Sequence, residues 1–177
     1  MVVYSSHARQ ITWEGFGLKL HFHEGSLPAG MEQCTINIQA SLAGQYEFPD
    51  NHHLVSAIFW LRCEPTCKFE KSIGLEIQHC AKSEDATKLS FVKAVCSQKQ
   101  LPYTFTDQLE GKFTSYSSYG VIELKGFSGL GVTQKGSKEC EYLVNLFCKE
   151  VKGRHTPIIM EIYFVVIRNT DTHRTVS

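Results

Sequence analysis

Between Cys34 and Leu42 every second residue is apolar: Cys34, Ile36, Ile38, Ala40 and Leu42 alternate with Thr35, Asn37, Gln39 and Ser41. On an extended strand this spacing gathers the apolar side chains on one face, whereas on a helix it would scatter them around the axis. The stretch is therefore read as a half-buried strand of an antiparallel sheet. The rhythm recurs at Leu18, Leu20 and Phe22, which alternate with Lys19, His21 and His23 before Gly25 and Pro28 close the strand. It recurs again at Ile73, Leu75, Ile77 and His79, set between Gly74, Glu76 and Gln78.

Leu54 to Leu61 is apolar on both faces, the pattern of a central strand, and Pro65 ends the turn after it. Gly44, Pro49, Asp50 and Asn51 punctuate a loop, and Lys82 to Lys88 reads as another. Further strands are expected over Leu89 to Cys96, Tyr103 to Thr106, Val121 to Leu124, Tyr142 to Cys148 and Ile158 to Arg168. The first two flank a turn holding Pro102, and the third follows a Ser/Tyr stretch over Ser115, Tyr116, Ser117, Ser118 and Tyr119. No window of helical length carries an i, i+3, i+4 stripe, and there is no internal repeat. Short strands with turn residues between them predict an all-β chain, an antiparallel β-sandwich or a barrel, with the sandwich as the expectation. The glycine-rich step over 126–131 is the one plausible division, giving units 9–125 and 126–177.

The 177 residues carry 18 Lys+Arg against 18 Asp+Glu, so no basic field exists to neutralise a phosphate backbone and nucleic-acid binding is not expected. With 42% hydrophobic residues the composition is that of a folded chain. At this length folding buries roughly 70% of the unfolded surface, so no staple is required. The seven cysteines, at 34, 63, 67, 80, 96, 140 and 148, are odd in number and do not form a small secreted framework. No charged and apolar leader opens the chain, no Asn-x-Ser/Thr acceptor occurs, and the most apolar run, Ile158 to Ile167, is interrupted by Glu161. A membrane span needs ~20 apolar residues. The expectation is a cytoplasmic protein, or the inner part of a membrane receptor, with reduced cysteines packed as small hydrophobes and no direct insertion in a membrane.

Gly15-Phe16-Gly17-Leu18-Lys19-Leu20-His21-Phe22-His23-Glu24-Gly25-Ser26-Leu27-Pro28 resembles the opening of the ZU-five domain of zonula occludens scaffolds, netrin receptors and ankyrins. Leu54 to Trp60 and Phe69 to Cys80 follow in the family's order, the latter similar to its F-x-K-P-V and I-x-H-C strand. Ser72 stands where the family usually has Pro, and His23 and Glu24 where it often has two prolines. Beyond 126 the chain resembles the first strands of the UPA domain, over Tyr142 to Cys148 and Ile158 to Val176. The resemblance implies a β-sandwich in an intracellular signalling or cytoskeletal scaffold, a non-enzymatic protein–protein interaction module without a cofactor. Its partners would be a neighbouring UPA or death domain, or spectrin-like proteins, met by surface complementarity or strand addition at an exposed edge. The apolar Val165, Val166 and Ile167 are expected to pair with the sandwich or with a second copy of the chain.

Phe127-Ser128 is the sharpest chemical candidate. The function-to-find domains of inflammasome sensors and of a death-domain adaptor, which this junction resembles, cut themselves between Phe and Ser, the Ser hydroxyl attacking the preceding carbonyl. Those relatives place His before the Phe, where this chain has Gly126, so His79 would have to reach Ser128 through the fold. The competing reading is a turn-forming Gly-Phe-Ser-Gly. For metals, His21 and His23 share one strand face, but Lys19 lies on it too, and the expectation is a solvated face. Cys63-x-x-x-Cys67 with His52, His53, His79 and Cys80 lacks a second pair at zinc-finger spacing, so no metal is expected. His79, continuing the face of Ile73, Leu75 and Ile77, is expected as a hydrogen-bonded core histidine. Gly126, Gly129 and Gly131 are not in dinucleotide-loop order. Acidic residues such as Glu84, Asp85 and Asp107 are scattered, with no acid–base pair.

Overall fold

In the computed structural model the alternating stretches are strands, and their apolar faces meet in one core. The structure describes residues 1–81, 86–95, 101–108, 111–115, 117–136, 145–151 and 159–165. In chain order the strands are β1 (Val2–Tyr4), β2 (Arg9–Trp13), β3 (Leu18–Phe22), β4 (Gln33–Ser41), β5 (Tyr46–Glu47), β6 (His52–Leu54), β7 (Ile58–Glu64) and β8 (Ile73–Gln78). They continue as β9 (Leu89–Ala94), β10 (Tyr103–Gln108), β11 (Lys112–Phe113), β12 (Tyr119–Leu124), β13 (Gly129–Lys135), β14 (Asn145–Val151) and β15 (Ile159–Val165).

The fold is an all-β sandwich. An eight-stranded sheet runs β1-β4-β7-β13-β9-β10-β5, with β6 also on β13, and a five-stranded sheet runs β11-β12-β8-β3-β2. The pairings are antiparallel apart from β10 with β5. β3 contributes Leu18, Leu20 and Phe22 to the core and β8 contributes Ile73, Leu75 and Ile77; the opposing sheet adds Cys34, Ile36, Phe59, Leu61, Phe91, Leu130 and Val132. β14 and β15 pair with each other as a two-stranded antiparallel sheet, Phe147 opposite Tyr163. Cys96, Cys140, Tyr116, Glu84, Asp85, Val166 and Ile167 lie outside the described residues.

Two departures from the sequence reading concern the centre of the larger sheet. The segment Leu54 to Leu61, expected as one strand, is broken between β6 and β7. Val55 still donates its N–H to Val132 O at 2.9 Å, but Val132 N–H donates to the Ser56 hydroxyl at 2.8 Å instead of a backbone carbonyl. That hydroxyl in turn donates to Ala57 O at 2.8 Å. A serine side chain, buried at 5% exposure, thus bridges a bulge and keeps the central amide satisfied.

The second departure is β13 itself. The step over 126–131, read as a boundary, leads directly into the strand that pairs with β9 along one edge and with β7 and β6 along the other. Residues 129–135 therefore belong to the sandwich that the sequence reading closed at 125. β1, before residue 9, joins the same sheet.

Replacing Ser56 with Ala leaves the buried Val132 N–H without an acceptor. Such a loss costs about 1–3 kcal/mol, and chemical denaturation of Ser56→Ala is expected to show a drop of that size with an unchanged denaturant slope. A drop below about 0.5 kcal/mol would mean that the hydroxyl does not carry the bulge.

Candidate interaction surface

The outer face of the larger sheet is unusually aromatic. Pairing registers set up a row across it in which Gln39 lies opposite Trp60, Trp60 opposite Gly129, and Ala94 opposite Phe105. The bulky side chains stand at the two sides of the row, and the middle carries almost nothing. A Cβ added at Gly129 would come within 2.6 Å of the Trp60 ring and 3.0 Å of Ala94 Cβ, so glycine leaves the space into which the indole leans. Its ring centroid then lies 4.9 Å from Tyr103 and 6.0 Å from Phe105. One step along β13, Gly131 gives the same room to Ile58, whose Cδ1 would stand 2.5 Å from an added Cβ.

The segment around β5 folds over the far part of this layer. Tyr46 and Phe48 pack on Phe105 at 5.7 and 5.3 Å, and the Tyr46 hydroxyl donates to Ser41 Oγ at 2.5 Å. Ile58, Val92 and Phe105 form the buried base of this second cluster, with Trp60 and Tyr103 half-buried at its open side. Asn37, Gln39 and Arg62 are exposed next to them, Asn37 paired with Arg62 on the neighbouring strand. Deeper in the same sheet His52 Nδ1 lies 3.2 Å from both Asp107 Oδ1 and Thr133 Oγ1. Both contacts fall on one ring nitrogen, which makes a positioned histidine rather than a relay from acid through base to hydroxyl.

The outer face of the smaller sheet is polar. Glu76 takes Lys19 Nζ on one oxygen and His21 Nε2 on the other, each at 2.9 Å, and Lys19 lies 4.4 Å over the Tyr119 ring. The hydrogen bond to Glu76 raises the Lys19 ammonium above its ordinary value, and the Lys19 hydrogen bond holds the Glu76 carboxyl below its own. His23 lies beyond the end of β3, where its backbone N–H donates to Ser26 Oγ at 2.9 Å. The expected shared face of His21 and His23 is thus a cross-strand charge network centred on Glu76, a residue the sequence reading passed over.

The remaining chemical candidates are separated by the fold. Phe127 packs edge-on against Phe69 and Phe22 at 4.9 and 6.4 Å, and the Ser128 hydroxyl donates to Gly129 O at 3.3 Å. Leu124, four residues earlier, pairs with Ile73 at the start of β8, whereas His79 follows the other end of that strand. Cys80, next to His79, donates its N–H to Val55 O, and Val55 donates to Val132 O, four residues or ~13 Å along the chain from Ser128, so the geometry does not bring His79 to Ser128. Cys63 and Cys67 meet at the end of β7, while Cys80 donates its N–H to Val55 O near the other end. The mixed set with His52, His53 and His79 is divided accordingly, and among the described residues no group of three or more His, Cys, Asp or Glu is arranged to hold a metal ion. No helix among them is long and apolar enough to cross a membrane.

His79 is buried at 5% exposure, its ring edge-on to Phe113 at 5.9 Å, and neither ring nitrogen has a hydrogen-bond partner among the described residues. The expected hydrogen-bonded core histidine is a core histidine that, among the described residues, is held by packing. Burial pushes its pKa below the ordinary 6.5. Between that lowered value and about 6.5 the unfolded chain binds the extra proton, so stability rises with pH across this window and is level above it. Glu76 acts lower: the stability it contributes is present above the ordinary 4.5 and is lost as pH falls through its lowered native value. Urea midpoints measured against pH are expected to decline in two stages on acidification. His79→Leu should flatten the first and Glu76→Gln the second. A profile for His79→Leu parallel to that of the parent chain would refute the assignment. Compared with known proteins, the chain matches no family model and no curated protein.

Proposed function

We propose that the chain is a non-enzymatic interaction module of ZU-five type, working in an intracellular signalling or cytoskeletal scaffold and docking a partner protein on the outer face of its larger sheet. The observation that carries the reading is the half-buried pair Trp60 and Tyr103, 4.9 Å apart, beside the exposed Arg62, Gln39 and Asn37. Aromatic anchors and arginine dominate binding energy at protein interfaces because they bury large rigid areas at small entropic cost and satisfy a polar rim. Here the anchors rest on a glycine floor within a sheet, so they are held in place before a partner arrives and little ordering remains to be done on binding. The resemblance of Gly15 to Pro28 and of Phe69 to Cys80 to the ZU-five pattern supports the class of partner: a neighbouring UPA or death domain, or a spectrin-like repeat.

The immobilised full chain, challenged with purified UPA–death-domain and spectrin-repeat proteins, is expected to retain one of them. Arg62 is exposed, so Arg62→Glu should leave folding stability within about 0.5 kcal/mol while weakening retention at least tenfold. Failure to retain any of these proteins, or retention indifferent to Arg62→Glu, would defeat the proposal.

A further inference from the structure

Cys63 is the last residue but one of β7 and Cys67 follows in the turn, so the chain doubles back within five residues and sets their sulfurs 3.7 Å apart. Cys63 Sγ also lies 3.8 Å from Cys67 O. Cys34 stands on the neighbouring strand β4, one residue before Thr35, which pairs with Glu64. Of the three thiols Cys34 and Cys63 are buried and Cys67 is half-buried. The pair is therefore pre-assembled by a turn and open to solvent through one member. Pro65, between the two cysteines, lines a shallow groove of about 570 Å³ with Pro28 to Gln33.

We propose that Cys63 and Cys67 are a redox-modifiable dithiol that closes to an intramolecular disulfide by exchange with a small disulfide such as oxidised glutathione. Cys67, the accessible sulfur, loses its proton and attacks one sulfur of the glutathione disulfide; that S–S bond breaks, and the first glutathione leaves and takes up the proton. The Cys63 sulfur, deprotonated in its turn, attacks Cys67 in the mixed disulfide and expels the second glutathione, which takes up the second proton. Two protein thiols are oxidised to one disulfide, and one glutathione disulfide is reduced to two thiols. Burial first, and then the hydrogen bond with Cys63, push the Cys67 thiol up to about 12. The exchange is accordingly slow near neutral pH, and the reduced form gains nothing from a stabilised thiolate, which favours the closed form once it has been made. Burial of Cys34, whose pKa is likewise raised by desolvation, keeps that thiol out of the exchange.

Trypsin cuts after Arg62 and Lys68, so both cysteines fall in a single hexapeptide, Cys63 to Lys68. The folded full chain is equilibrated at pH 8.5 with graded ratios of oxidised to reduced glutathione, quenched with N-ethylmaleimide and digested. At oxidising ratios the hexapeptide is expected two hydrogens lighter and unalkylated, while the peptide bearing Cys34 stays alkylated. Cys34→Ser should close equally well, and the folded chain should close at glutathione ratios at least tenfold more reducing than the urea-unfolded chain. A hexapeptide doubly alkylated at every ratio, a link from either cysteine to Cys34, or equal closure in the unfolded chain would each overturn the proposal.

Discussion

Everything in this sandwich is arranged around the satisfaction of one buried strand. β13 lies in the middle of the larger sheet, and six of its seven residues, from Gly129 to Gln134, are buried. An amide there has no recourse to water and must find an acceptor in the protein. β9 supplies one edge without interruption, but the other edge is shared between β7 and β6, whose junction cannot continue the ladder. The Ser56 hydroxyl fills the gap by accepting from Val132 and donating to Ala57. With that junction secured, both faces of β13 are usable: Leu130 and Val132 go to the core between the sheets, and Gly129 and Gly131 make room for the aromatic layer outside.

How much of this was legible in the sequence depended on whether a side chain's environment agreed with its local pattern. β3, β4 and β8 were read within one residue at each end, because one face of each meets the core and alternation records that fact directly. β2 was missed because an edge strand with Ile11 as its only fully buried residue leaves no period to count. β13 was misread because glycine in a strand looks like punctuation when its real use is to accept a neighbour's bulk. The useful signal was the spacing: Gly129 and Gly131 are two apart and so share a face, as strand residues do and turn residues need not.

The candidate surface was legible only in fragments. Trp60 was visible as part of an apolar run, but its partners Tyr103, Phe105 and Tyr46 come from elements distant in sequence, joined by a parallel pairing of β10 with β5 that no local pattern announces. The reverse holds for the chemical candidates, which looked like sets on paper and are dispersed by topology. His79 illustrates the limit: its place on the inward face was correct, but an inward histidine was expected to find a hydrogen bond, and among the described residues the ring meets Phe113 and no polar partner. Burial follows from periodicity, whereas polar satisfaction depends on what the opposing element happens to present.

The glycine floor beneath Trp60 also ties two distant positions to one another through time. A methyl group at 129 would strike the indole ring, whereas a small residue at 60 would leave the space above 129 empty. Neither position can drift alone without a clash or a void, so the two are expected to change as a pair: descendants of this chain that retain the large ring should retain glycine beneath it, and those that have lost the ring are free to carry alanine or serine there. The correlation joins residues nearly seventy places apart along the backbone, and its presence among natural variants would be a record of this packing written in inheritance.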